Sequence, residues 1–342
     1  MRKAIATLSI LIVIAAMPVM ATDVTFSGEV DFGLGTNFTD AYGITVGDSD
    51  LELSANVDDF VSFTIGLDGL FPDKDGKVAG IGDLYMTIDM MKAFGLDSPV
   101  GFSFDVGYTS FDTQEYFSDL TGYEAVEVGY AENMTEAQLA GTFSYGSVNL
   151  LVAIGPTSFA IGKENLLVNL YGEFGGLKAE AYYIDTPDGV TGVSYTDAVG
   201  VGLSYDLMGD SMIMFGLGAD YLIDKKDLEA GVAFGGSWNS FGYGVMGTGE
   251  ALLTDAAFGM GIDLTYDIID ALQVYGAIST GDFTQFTKTL GYEAGVKVTT
   301  INDQVKFYLG WNDGPKYKTV VSSKQDDGSY IGNVYLRIVS EF

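Results

Sequence analysis

The chain has 342 residues, 47 Asp plus Glu against 16 Lys plus Arg, a formal net charge of −31, and neither Cys nor His. Without Cys there is no disulfide framework, thiolate metal site or cysteine nucleophile. Without His there is no Ser-His-Asp or Cys-His catalysis, so neither enzymatic activity nor a cofactor is expected. So acidic a surface is a poor match for nucleic-acid phosphates, while 46 Gly, 6 Pro and 47% apolar residues suit many short strands.

In chain order, Met1-Arg2-Lys3 forms a short basic start, and Ala4 to Ala21 then carries no charge. The apolar centre Ile10-Leu11-Ile12-Val13-Ile14, the break at Pro18 and the small residues of Val19-Met20-Ala21 read as a secretory signal peptide over residues 1–21, cut after Ala21. The alternative is a retained membrane helix, which eighteen residues could barely provide. The proline and the small-residue end favour cleavage and leave residues 22–342 as a single domain.

From Thr22 onward no uncharged apolar run is long enough for a membrane helix, and a period-two alternation replaces it. Val100, Phe102, Phe104, Val106 and Tyr108 interleave with Gly101, Ser103, Asp105 and Gly107. Phe258 to Tyr266, Leu290 to Val298 and Val305 to Trp311 repeat the pattern. Strands are expected to begin near residues 24, 49, 60, 82, 99, 136, 147, 164, 176, 197, 211, 226, 240, 255, 271, 288, 303 and 330. That makes eighteen, and sixteen would fit if one hairpin is divided wrongly. Short turns near Asp58-Asp59, Gly146-Ser147, Gly175-Gly176, Asp206 to Ser211, Gly235 to Ser240, Asp267 to Ala271 and Ile301 to Gln304 alternate with longer polar loops such as Pro72 to Gly80, Asp185 to Asp197 and Asn312 to Ser329. Asp73-Lys74-Asp75-Gly76-Lys77 lacks the full acidic ligand set of a calcium loop and reads as a turn.

This asymmetry predicts an all-β fold, a transmembrane antiparallel up-and-down β-barrel with short periplasmic turns and longer outer loops. A soluble, secreted β-sandwich would alternate too. Two features weigh against it. The apolar face carries Tyr145, Phe174, Tyr205, Phe234 and Tyr266 beside short turns and Tyr108, Tyr183, Tyr221 and Trp311 beside long loops, as two membrane interfaces select. The other face holds mostly small and acidic residues.

The two ends add a likeness. Asp23-Val24-Thr25-Phe26-Ser27-Gly28-Glu29-Val30-Asp31-Phe32-Gly33-Leu34 resembles the first strand of general bacterial, Gram-negative outer-membrane porins, and Val334-Tyr335-Leu336-Arg337-Ile338-Val339-Ser340-Glu341-Phe342 resembles their last. The resemblance implies a cell outer-membrane location, contact with outer-membrane lipid, a homotrimer, and Phe342 as an assembly signal for the barrel-insertion machinery. The chain departs from that family at Ser340, and in lacking both a Pro-Glu-Phe-Gly motif and a dense arginine ladder.

The expected function is therefore a porin: a water-filled, cation-preferring channel for passive diffusion of ions and small hydrophilic solutes. The gap from Thr109 to Thr135 carries Asp112, Glu115, Asp119, Glu124 and Glu127 without a single Lys or Arg, and lies where the resemblance places an inward-folded third loop. It is the candidate acidic constriction, against the alternatives of an ordinary outer loop or an extra hairpin. Lys297, Lys306 and Arg337 fall on three successive strands and are the candidate basic wall, with Arg337 expected near Glu29 as the barrel closes. Asp50, Glu52, Asp68, Asp105, Asp263 and Glu293 are candidate acidic lining residues; a lumen of that sign attracts cations. Outer-loop acids could hold Ca²⁺ or Mg²⁺ loosely. The alternatives are a substrate-specific or gated uptake channel, for which Tyr85, Tyr171, Tyr182, Tyr275, Tyr308 and Tyr335 are inward candidates, and a non-conducting structural or adhesive surface barrel.

Overall fold

A computed structural model of the protein describes residues 23–37, 42–68, 80–111, 134–156, 164–185, 197–207, 213–300, 304–313 and 333–341. The targeting segment expected over residues 1–21, Phe342, and all five acids of the candidate constriction lie outside these residues.

Two-residue turns set the hairpins. Gly175 and Gly176 sit at φ 58° and 85°, the left-handed region that matches the natural twist of paired strands and that glycine enters at least cost. Between such turns run eighteen strands: β1 (Asp23–Thr36), β2 (Tyr42–Asp58), β3 (Val61–Asp68), β4 (Gly80–Asp89), β5 (Val100–Phe111), β6 (Met134–Tyr145), β7 (Val148–Pro156), β8 (Glu164–Phe174), β9 (Leu177–Asp185), β10 (Ala198–Asp206), β11 (Met214–Leu222), β12 (Asp227–Trp238), β13 (Phe241–Glu250), β14 (Ala257–Ile269), β15 (Leu272–Thr280), β16 (Leu290–Thr299), β17 (Val305–Asp313) and β18 (Asn333–Glu341). Each pairs antiparallel with its sequence neighbours, and β1 pairs with β18 from Glu29↔Glu341 to Thr36↔Val334, so the sheet closes on itself. Closure leaves no strand edge and satisfies the ladder throughout, which a spanning structure requires in lipid. Among the described residues, no helix is long and apolar enough to cross a membrane.

The strands start within three residues of the expected positions, with one exception. β2 begins at Tyr42 rather than near residue 49. Its early part is held by the long β1 across a register shift at Val30/Phe32, a pairing that local alternation does not reveal. Likewise β5 and β6 extend into the gap assigned to the third loop, reaching Phe111 and starting at Met134.

One end of the barrel carries all the two-residue turns, and most of the longer connections lie at the other. The turn end includes 59–60, 146–147, 175–176, 239–240 and 270–271, plus a helical turn, Met90–Ala93, whose Lys92 N–H donates to the Asp89 carboxylate at 3.0 Å. The two faces of the wall differ as β10 illustrates: Val199, Val201, Leu203 and Tyr205 are exposed outside, while Gly200, Gly202 and Ser204 are buried inside. Exposed outer aromatics cluster at both rims, with Tyr145, Phe174, Tyr205, Trp238, Phe241 and Tyr266 toward the turn end and Tyr221, Phe258 and Trp311 toward the loop end. Such girdles mark the two interfaces of a membrane barrel.

Candidate functional site

The inner wall is best followed as rows of directly paired residues, because strand neighbours lie about 4.8 Å apart and successive inward residues about 6.8 Å along a strand. On the β14–β18 side the row nearest the loop end is Asp263, Ala277, Glu293, Asn312 and Asn333. The next row is Thr265, Tyr275, Gly295, Gly310 and Tyr335, and the third is Asp267, Gln273, Lys297, Tyr308 and Arg337.

The middle row is an interlock. Gly295 and Gly310 leave their places empty of side chains, and the two tyrosines lean over them from either side until their hydroxyls meet at 2.5 Å. A Cβ on Gly295 would lie 2.5 Å from the Tyr275 oxygen, and one on Gly310 would lie 2.6 Å from the Tyr335 oxygen. The Tyr335 hydroxyl donates to the Glu293 carboxylate, so the proton between the two tyrosines must come from Tyr275.

Lys297, Lys306 and Arg337 are brought together on this wall. Lys297 and Arg337 flank Tyr308 in one row, with Lys297 Nζ 5.9 Å and Arg337 Cζ 5.6 Å from its ring centroid, within reach of cation–π attraction. Arg337 Nε donates to Asp31 Oδ2 at 3.0 Å, two residues along β1 from the expected Glu29, and Lys306 pairs with Glu341. These cations are thus locally paired as well as clustered.

The candidate acids are spread around the wall. Asp50 lies between Glu29 and Asp68 in register, and Glu52 accepts from the Ser54 hydroxyl at 3.0 Å. Asp68 is placed by its backbone pairing alone. Asp105 accepts from Thr87 Oγ1 at 2.5 Å. Asp263 is buried over Gly244, and Glu293 is held by Tyr335.

The opposite wall departs from the small and acidic face expected there. Ala140, Ala153, Leu167, Ile184, Ala198 and Leu222 form one continuous apolar row across β6–β11, all at 0–2% exposure. Leu151 joins it from the next row, where Tyr182 crosses Gly200 to donate to Asp220. Sequence reasoning missed this belt because runs such as Leu166-Leu167-Val168 carry apolar residues on both faces. It also missed the glycines beneath the tyrosines, since a glycine's meaning depends on the neighbouring strand.

No protein-family model matches the sequence, and no curated protein matches it. Solved structures do match in fold. Two engineered variants of Rh. blastica porin superpose with TM-scores of 0.56 and 0.55 at 14% identity, each over 94% of this chain and 100% of its own. A triple mutant of Rhodopseudomonas blastica porin gives 0.52 at 12% identity with the same coverage. The protein is a closed, eighteen-stranded antiparallel β-barrel with the fold of solved bacterial porins.

Proposed function

We propose that the barrel is an outer-membrane porin, a passive, cation-preferring channel for ions and small hydrophilic solutes. The observation that carries this is the closed wall with an apolar, aromatic-rimmed exterior and an interior lined by far more acids than bases. An acidic, low-dielectric conduit raises the local concentration of cations and repels anions. In this reading Asp112, Glu115, Asp119, Glu124 and Glu127 form the acidic side of a constriction, facing Lys297, Lys306 and Arg337. Asp50, Glu52, Asp68, Asp105, Asp263 and Glu293 supply the remaining negative potential.

The proposal also takes residues 1–21 as an export segment, the last strand with Phe342 as the assembly signal, and a homotrimer in lipid as the working form. The deciding experiment is single-channel recording in a planar bilayer under a KCl gradient. Stable steps with a cation-selective reversal potential are expected. An anion-selective potential would overturn the charge reading, and silence from correctly folded protein would favour a plugged or structural barrel.

A further inference from the structure

β14 and β15 separate before they reach the loop end. β14 keeps its pairing with β13 as far as Ala257, whereas its last partner on β15 is Thr280, opposite Met260. Beyond Thr280 the chain leaves the plane of the sheet, and Gly259 shows to which side. Gly259 lies between the exposed, outward Phe258 and Met260, so it faces the lumen. A Cβ there would lie 2.7 Å from the Thr280 carbonyl oxygen and 3.1 Å from that of Gly281. The departing backbone therefore crosses on the inner side of β14, where a residue without a side chain leaves it room. The 3-10 turn Phe283–Gln285 that follows packs against β14.

The connection between β13 and β14 does the opposite. The Leu252 side chain comes within 2.6 Å of where a Cβ on Gly249 would stand, and Gly249 is paired with the outward Phe258. Two connections of one rim thus turn opposite ways, and residues 281–289 are the inward one. They are fastened there. The hydroxyls of Thr280 and Thr289 meet at 2.7 Å across the base, the Thr289 hydroxyl lies 3.0 Å from the Asp282 carbonyl oxygen, and the Asp282 carboxylate caps the turn. Phe283 and Phe286, three residues apart and so on one side of the helical turn, stand at 49% and 44% exposure.

We propose that residues 281–289 form an inward collar at the loop-end mouth, and that Phe283 and Phe286 favour organic ammonium ions among the cations the channel admits. An acidic lumen draws any cation toward the mouth. The rings discriminate, because an alkylammonium ion carries its charge on an apolar surface that sits well against an aromatic face. The inference rests on the interior being a conducting lumen and adds a solute class to that reading.

The test is block of K⁺ current in planar bilayers by tetraethylammonium added on the loop side. The wild type should be blocked. Phe283→Leu with Phe286→Leu keeps the apolar bulk without the rings and should need about tenfold more blocker. Phe286→Tyr, which keeps a ring, should be blocked like the wild type, as should Leu253→Ala on the outward connection. The chain has no cysteine, so Phe286→Cys supplies a single thiol. Its complete modification by a cationic methanethiosulfonate from the loop side should lower K⁺ conductance. Equal block of the wild type and the Leu pair, or a modified Phe286→Cys that conducts as before, would overturn the proposal and leave the pore reading intact. Folded protein that does not conduct would remove both.

Discussion

At the residue scale the wall is organised by side chains that borrow the space of glycines. Tyr275 and Tyr335 lie over Gly295 and Gly310, and Tyr182 crosses Gly200 to reach Asp220. In each case a large ring lies flat on the wall instead of standing in the lumen, and its hydroxyl finds a carboxylate or another hydroxyl. This accounts for Tyr182, Tyr275 and Tyr335 as packing, which a row of solute-binding aromatics would not require. Gly310→Leu should drive the Tyr335 hydroxyl from its seat and release Glu293. Overpacking of this kind costs about 1–3 kcal/mol. A lowered denaturant midpoint of the folded barrel is expected, and an unchanged midpoint would show that the tyrosine does not occupy that space.

At the element scale the strands need little beyond alternation, and the connections carry the local chemistry. The connection between β15 and β16 shows this. The Asp282 carboxylate accepts from the Thr284 hydroxyl and backbone N–H, both at 2.7 Å, and from the Gln285 amide at 3.2 Å. The Thr284 hydroxyl, then its N–H, hold the Asp282 carboxyl below the usual carboxylate range. A lowered pKa means the ionised form is favoured by the folded connection. Its stabilising effect is therefore present above the ordinary Asp pKa of about 3.9 and disappears as pH falls through the depressed value. Protection of the Thr284 and Gln285 amides, taken relative to the intrinsic exchange rate at each pH, should fall on acidification below about pH 4, and Asp282→Asn should be less protected at neutral pH and lose that dependence.

At the scale of the whole molecule, closure gives each face a different solvent. Leu309 points outward from β17, exposed between the two rims, while its neighbour Tyr308 points inward between two cations. Leu309→Arg should destabilise the barrel in lipid by about 2–4 kcal/mol, the cost of a cation near the bilayer midplane. The paired change Glu115→Gln with Asp119→Asn should leave unfolding unaltered and lower cation preference. An unchanged reversal potential in that variant would remove the candidate loop from the pore.

The sequence by itself determined nearly all the strand starts, most turn positions and the two-faced wall, while its count left sixteen strands beside the eighteen that closure selects. The reason is that these are local: side chains alternate sides every residue, and a two-residue turn such as Gly175-Gly176 is written in its own residues. It also placed Lys297, Lys306 and Arg337 near one another, because successive strands of a meander must be neighbours. Only the tertiary structure decided what meets what along a row. Arg337 lies near Glu29 as expected but makes its hydrogen-bonded ion pair with Asp31, Tyr275 finds Tyr335 sixty positions away, and six small or branched apolar residues from Ala140 to Leu222 align into a belt inside the barrel. Register sets these meetings. It is fixed by turns, bulges and closure acting together, and no window of sequence contains it.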